Sequence, residues 1–300
     1  MAVVAPTVAQ PSAQPPARRS PRVRWIAYLL LAPGLGWLFL FWLWPSIQMF
    51  ITSLQTGTYA EGYTFTGNVG IYRDVLAAYP EQLFRSLVYA LIVTVACLAI
   101  GYPLAYAIAM RAGRWKNAIL FMVILPFFVS YIIRTLSWKF ILADDGIFLG
   151  TLKSIGLLPD DAQIVNTTSA VLGGLIYNFL PFMVLPLFVS LDKIDPSLLE
   201  AAGDLYSNKR STFLRVTLPL SLPGLLAGSL LTFIPVAGDF INAELLGNPN
   251  TTMLGNVIQV QMLEHNDYPT GAAISFILMA AILIGVFVYA KLLGTEELTG

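Results

Sequence analysis

Residues 168–191 read Thr-Ser-Ala-Val-Leu-Gly-Gly-Leu-Ile-Tyr-Asn-Phe-Leu-Pro-Phe-Met-Val-Leu-Pro-Leu-Phe-Val-Ser-Leu, without one charged side chain. About 20 such residues are enough for a helix to cross a bilayer's hydrocarbon. Five more runs of the same character flank this one, at about 25–49, 86–110, 118–141, 220–241 and 270–292. Only 11% of the chain is charged and 57% is hydrophobic, with a mean hydropathy of +0.72. An ordinary soluble domain carries roughly 25% charge. A water-soluble fold of this size needs a charged skin that this chain cannot supply. The expectation is an all-α integral membrane protein of six transmembrane helices, because in lipid each segment must satisfy its own backbone hydrogen bonds. A barrel would need alternation with period two, and the runs are solid. Pro33, Pro45, Pro103, Pro126, Pro181 and Pro186 lie inside them, as membrane helices allow when neighbours take up the freed carbonyls.

Ahead of the first run, residues 1–24 are rich in Pro, Ala, Gln and Val and hold Arg18, Arg19, Arg22 and Arg24. This segment reads as a disordered basic cytoplasmic tail whose arginines anchor the first helix. A cleaved signal peptide fits poorly, since the run is too long and no small-residue cleavage site follows Trp44-Pro45. Residues 25–292 read as one transmembrane domain and 293–300 as a short cytoplasmic tail. With the N-terminus inside, twelve of the seventeen Lys and Arg fall on the cytoplasmic side, which satisfies the positive-inside rule. The outer loops are Thr-, Gly- and Tyr-rich at about 51–85, or acidic, with Asp144, Asp145, Asp160, Asp161, Glu244, Glu264 and Asp267. Such a face favours arriving cations. Equally, acidic residues collect wherever topology excludes Lys and Arg.

The loop between the fourth and fifth runs, about 192–219, is the most informative polar stretch. Asp195-Pro196 is a cap followed by proline at the first turn, a good helix start. Leu198, Ala201, Ala202 and Leu205 follow helical spacing, and Phe213, Val216 and Leu220 mark one face of a second helix. A short helix, a turn and a second helix would stand at the inner membrane face, its small alanines suited to a partner's groove. A helix lying flat at the lipid interface fits the same periodicity.

At this loop the chain resembles a known family. Glu200-Ala201-Ala202, then Val216-Thr217-Leu218-Pro219, resembles the EAA loop in membrane subunits of binding-protein-dependent ABC importers. The run Leu125-Pro-Phe-Phe-Val-Ser-Tyr-Ile-Ile-Arg-Thr135 is similar to the third-helix signature of the spermidine/putrescine branch. So are Pro223-Gly-Leu-Leu-Ala-Gly-Ser229, Gly238-Asp239-Phe240 and Glu244-Leu-Leu-Gly247. The resemblance implies a type I ABC importer permease fold in the bacterial inner membrane, with both termini cytoplasmic. It implies that the loop is a coupling helix for a cytoplasmic ATPase dimer, through Glu200, Ala201, Ala202, Leu205, Tyr206 and Arg215. It further implies a homologous second permease subunit, an extracytoplasmic substrate-binding protein, and alternating access driven by ATP and Mg held on the ATPase. The family usually places Gly six residues after the Glu, and here Tyr206 stands there. Because a non-Gly residue at positive φ is costly, the turn is expected either to be rebuilt around Ser207-Asn208 or to send Tyr206 into the ATPase groove.

Absences narrow the reading. No phosphate-binding Gly-x-x-x-x-Gly-Lys-Ser/Thr loop occurs, so the chain is expected to be a non-catalytic subunit without cofactor. Zero net charge gives no field for nucleic acid. Cys97 and His265 are each the sole residue of their kind, which rules out disulfides and makes a metal site improbable on composition. Asp239, near the outer end of the fifth run, is the ionisable group to notice, since such groups at membrane depth face a cavity or a partner. It is expected to line a pathway for a cationic amine with Tyr131, Trp138, Tyr177 and Asn178, although the aromatic belt or simple packing accounts for these four as well. The alternatives to a polyamine importer subunit are an ABC permease for another small solute and a stand-alone secondary transporter or channel. The latter would want inverted repeats and paired intramembrane charges, and neither is visible.

Overall fold

Pro21 opens the first helix of the computed structural model, which describes residues 21–292 other than Asp145, Leu158, Asp160 and Ala162. The expected tails therefore lie outside the described residues, as do Asp145 and Asp160, save that the backbone of Arg22 and Arg24 is already helical. Two compact units divide the chain at Met49.

In the first unit, α1 (Pro21–Leu38) passes through a π-helical turn at Phe39–Leu43 into α2 (Trp44–Ser53). Pro45 explains the turn. It has no N–H to give, and its ring opposes the carbonyl four residues back, so the ladder widens just before it and Trp44 N–H bonds Phe39 O. The Ser46 hydroxyl donates to Trp42 O, four residues back, at 2.7 Å.

The second unit begins at Phe50 with the last residues of α2, followed by a hairpin, β1 (Gln55–Thr58) antiparallel to β2 (Gly62–Phe65), in register Gln55 to Phe65. Next come α3 (Gly70–Ala78), α4 (Pro80–Arg111) and α5 (Lys116–Ile124). A 3₁₀ turn at Leu125–Phe128 leads to α6 (Tyr131–Leu142), then α7 (Ile147–Ser154), α8 (Thr168–Asp192) and α9 (Pro196–Asp204). The chain closes with α10 (Lys209–Thr212), α11 (Leu218–Ala237), α12 (Ile241–Leu246), α13 (Leu254–Gln259) and α14 (Tyr268–Leu292). Among the described residues five helical stretches are long and apolar enough to cross a membrane: Tyr28–Ser53, Pro80–Arg111, Thr168–Asp192, Lys209–Ala237 and Tyr268–Lys291. The sixth expected span is broken: Gly113–Phe128 and Tyr131–Leu142 meet at 91°. Pro126 shortens the helix into a 3₁₀ turn, and Val129 and Ser130 then go extended (ψ 141° and 136°).

The core of this unit is the contact of α4, α8 and α11. Val93, Cys97, Ala105 and Ile108 from α4 meet Leu175, Met183, Leu187 and Leu191 from α8, all fully buried or nearly so. Helix α11 brings small residues instead. A Cβ on Gly224 would lie 2.5 Å from Pro186 O, and one on Gly228 would lie 2.9 Å from Met183 Sδ and 3.0 Å from its carbonyl. Two glycines four apart thus let the backbones of α8 and α11 approach closely, the usual way of packing helices where lipid removes the hydrophobic drive. Tyr102 on α4 and Ser221 on α11 share a buried hydrogen bond at 2.8 Å. A second cluster joins Val75 of α3 to Leu254 and Val257 of α13 and to Ile274 and Leu278 of α14.

Three elements depart from the sequence expectation. The stretch 51–85 is ordered as a hairpin and α3, rather than left as loop. The fifth span ends at Ala237, and Gly238–Phe240 break it before α12. Its front end is longer than expected, since α10 runs through a second π-turn at Phe213–Thr217 directly into α11. Pro219 sits one residue beyond the last turn bond, Leu218 N–H to Phe213 O, just as Pro45 sits beyond Trp44.

Candidate functional site

Two places carry the polar chemistry of the second unit. The first is a buried nest between α6, α8 and the α11–α12 break. After α11 ends, Asp239 N–H still bonds Val236 O at 3.1 Å, while its carboxylate turns back to cap α12, Oδ1 accepting from Asn242 N at 2.9 Å. Oδ2 accepts from the Tyr131 hydroxyl at 2.5 Å, and Asn242 Nδ2 donates to the same hydroxyl at 2.5 Å. Asn178 Nδ2 donates to Asn242 Oδ1 and to Thr135 Oγ1, each at 3.1 Å. Asp239, Asn242, Asn178 and Thr135 are all at most 7% exposed, so the bonds among these four are shielded from water, while those to the half-buried Tyr131 hydroxyl are partly so.

Local sequence explains why they meet. Tyr131, Arg134, Thr135 and Trp138 fall on one face of α6 by helical spacing. Gly174, one turn before Asn178 on α8, makes room for α12, since a Cβ there would be 2.8 Å from Asn242 Oδ1. The break is braced from behind by Gly255, whose Cβ would meet the Gly238 and Asp239 carbonyls at 2.7 and 2.8 Å, and by Asn256 Nδ2 donating to Phe240 O at 2.8 Å. Of the five pathway residues expected from sequence, Asp239, Tyr131 and Asn178 are joined in one network. Trp138 and Tyr177 form a T-shaped pair at 5.2 Å beside it. Sequence reasoning missed Thr135 and Asn242 as members, and Arg134 as the cation beside Tyr131. Their signals were Thr135 four residues after Tyr131, and Asn242 three after Asp239.

The second place is the turn between α9 and α10. Asp195 caps α9, its Oδ1 accepting from Ser197 N at 2.9 Å, and that backbone bond holds its carboxyl below the usual carboxylate range. Glu200 and Ala201 are exposed, Ala202 is half-buried, and Leu205 is 81% exposed. The turn is not rebuilt around Ser207-Asn208. Tyr206 itself takes the left-handed conformation, φ 58°, and its side chain is fully exposed. Ser207 N bonds Ala202 O at 3.1 Å and Tyr206 N bonds Gly203 O at 2.9 Å, the pair that closes a Schellman helix end. Asn208, at φ −74°, instead caps α10 through Ser211 N at 2.8 Å. Arg215 lies exposed in the π-turn, on an element continuous with α11. Lys116 at the start of α5 and Asp192 at the end of α8 are ion-paired at 2.8 Å. Among the described residues no group of three or more His, Cys, Asp or Glu side chains is placed to hold a metal ion.

Comparison with known proteins bears on both places. Residues 99–293 match the family model of the binding-protein-dependent transport system inner membrane component. The spermidine/putrescine transport system permease protein PotB of Escherichia coli (strain K12) is 39% identical over 255 residues, covering 85% of this chain and 93% of that one. The inner membrane ABC transporter permease protein YdcU of the same organism is 34% identical over 293 residues, covering 88% and 92%. Among solved structures, a bacterial ABC transporter involved in the import of the acidic polysaccharide alginate superposes with a TM-score of 0.69 over 91% of this chain and 96% of that one, at 20% identity. That last likeness concerns the fold alone.

Proposed function

The chain belongs to the family of binding-protein-dependent transport system inner membrane components, and from that premise we propose that it carries polyamines such as spermidine and putrescine inward. It is a permease subunit of an ABC importer with the type I fold. The observation that carries the substrate reading is the buried Asp239 carboxylate, satisfied among the described residues only by neutral donors from Tyr131 and Asn242. A carboxylate kept at membrane depth without a cationic partner is poised for one that comes and goes, and an alkylammonium is such a partner. Asn178, Tyr177 and Trp138 supply the further polar and aromatic contacts.

In this reading the two places are the two ends of one transmission. The α9–α10 turn faces the cytoplasm, as do both chain termini. It docks on an ATPase dimer through Glu200, Ala201, Ala202, Leu205, Tyr206 and Arg215. ATP and Mg are bound on that dimer, and a homologous second permease completes the pathway opposite an extracytoplasmic binding protein. The continuity of α10 with α11 supports the coupling. A push on the turn is delivered along one helix to Gly238 and Asp239, where α11 ends against the nest.

The test is co-purification of the tagged chain expressed with its whole operon, with and without Glu200→Ala. Capture of an ATPase and a second permease is expected, with the substitution weakening ATPase capture or uncoupling polyamine-stimulated hydrolysis. A chain that purifies alone and transports without nucleotide would sink the importer assignment.

A further inference from the structure

Arg134 on α6 is only 7% exposed, yet among the described residues no carboxylate lies within ion-pair distance of it. Its guanidinium rests on aromatic faces instead, with Cζ 4.8 Å from the Phe127 ring centroid and 5.8 Å from that of Tyr131. The buried Nε has no hydrogen-bond partner. Both walls are fixed by α8, since Phe127 stands edge-on to Phe182 at 4.8 Å and Tyr131 to Phe179 at 6.1 Å. The hydroxyl of the same Tyr131 donates to Asp239, which is equally buried and equally without a cationic partner among the described residues.

Buried charges ordinarily pair with one another, because an unpaired ion loses its hydration for nothing. Here a cation leans on the ring of one tyrosine and an anion on its hydroxyl, and the two do not meet. Aromatic faces attract any organic cation, whichever molecule it belongs to. We propose that Phe127, Tyr131 and Asp239 form a binding site for an alkylammonium or guanidinium cation, and that Arg134 is its tethered occupant while the site is empty. Arg134 keeps the vacant nest near neutrality through the field it places across Tyr131, without contacting the carboxylate. An incoming cation takes the aromatic faces and reaches Asp239 directly, which Arg134 does not, and so displaces it. A direct Arg134–Asp239 ion pair would compete too strongly for that exchange. The inference rests on the cation-pathway reading of the nest, and adds to it the site's resident competitor.

The probe is ethylguanidinium chloride at millimolar concentration, added to the chain purified in detergent, with sodium chloride as the ionic-strength control. In Arg134→Ala the vacated faces should bind the probe, giving a saturable rise in Tm. The unaltered chain, in which the probe must first displace Arg134, should show its rise only at higher probe concentration, and Arg134→Ala combined with Asp239→Asn should show none beyond the control. An equal rise in all three, or none in Arg134→Ala, overturns the proposal. Should Arg134→Ala fail to fold, Arg134→Lys keeps the charge and loses the planar stacking. Putrescine should then bind the assembled importer, without its binding protein, about three- to tenfold more tightly. Unchanged or weaker binding overturns the proposal. Ethylguanidinium binding by Arg134→Ala together with no amine transport by the unaltered importer would keep the site and refute the transport reading, so the two failures are separable.

Discussion

Tyr206 occupies a backbone position that glycine fills without strain, at φ 58°, whereas the other positive-φ residues besides glycine among the described ones, Asn166 and Asn266, are of the type that tolerates it best. The side chain is fully exposed, so no packing within the chain offsets that strain. Tyr206→Gly should therefore tighten the turn by about 0.5–1 kcal/mol, after allowing for the freer unfolded glycine. Amide exchange at Ser207, which bonds Ala202 O, should slow about two- to fivefold; an unchanged or faster rate would show that the turn holds no strain. If Tyr206 enters the ATPase groove, the same variant should capture less ATPase while its turn is firmer, an opposition that loss of folding cannot produce. At the other end of α9, Asp195 makes a pH prediction. Its carboxyl is held below the ordinary range by the Ser197 N–H, so the charged form belongs to the folded cap. The stabilisation is complete above the unfolded carboxylate range and is lost as pH falls through it toward the lower folded value. Protection of the first α9 amides, corrected for intrinsic rate, should fall between about pH 5 and 3 in the native chain and stay flat in Asp195→Asn, which caps without titrating.

Helix α9 and helix α11 use glycine for opposite reasons, and substitution should separate them. A Cβ on Gly203 of α9 meets nothing within 4 Å, so Gly203→Ala should stabilise that helix by about 1 kcal/mol, read as greater amide protection. Gly224 and Gly228 have α8 backbone at their Cα, so Gly224→Leu should cost more than about 3 kcal/mol and appear as a lowered Tm or loss of monodisperse protein. Tolerance of leucine there would mean that α8 and α11 do not pack as described. The spans were legible because an apolar run of sufficient length has few other solutions, and Asp195-Pro196 announced α9 by its capping chemistry. The helix–turn–helix reading of the loop at about 192–219 was half correct in geometry. Its second helix is the front end of a span, because the π-turn at Phe213–Thr217 lets the helix run up to Pro219 without stopping. A proline inside an apolar run does not say whether a helix kinks, widens or breaks. Pro45 and Pro219 follow π-turns within continuous helices, while Pro126, followed by extended Val129 and Ser130, ends one. That difference is set by what the next residues can pack against, which is tertiary information.

At the scale of the molecule the same limit decides how much of the nest could be read. Asp239 was visible as a rare ionisable group, and Tyr131 and Asn178 as polar side chains in apolar runs. Their partnership was not, since Tyr131 and Asp239 stand 108 residues apart and meet only because the chain turns through 91° between Gly113–Phe128 and α6 and because α11 stops at Ala237. Asn242, the residue that ties the three together, lies beyond the fifth run, and only its spacing from Asp239 marks it. This construction yields the most discriminating variant. Asp239→Asn keeps an oxygen to accept from Asn242 N and so keeps the cap on α12, while it removes the negative charge. Assembly with partner subunits should be unaffected. Putrescine uptake at saturating binding protein should fall at least roughly tenfold, the size expected when a charge-assisted contact is replaced by a neutral one. Loss of assembly would instead mark Asp239 as a structural cap, and full uptake by an assembled Asp239→Asn importer would remove the carboxylate from the pathway, leaving the Tyr131–Asn242–Asn178 network as a brace for the break that precedes α6.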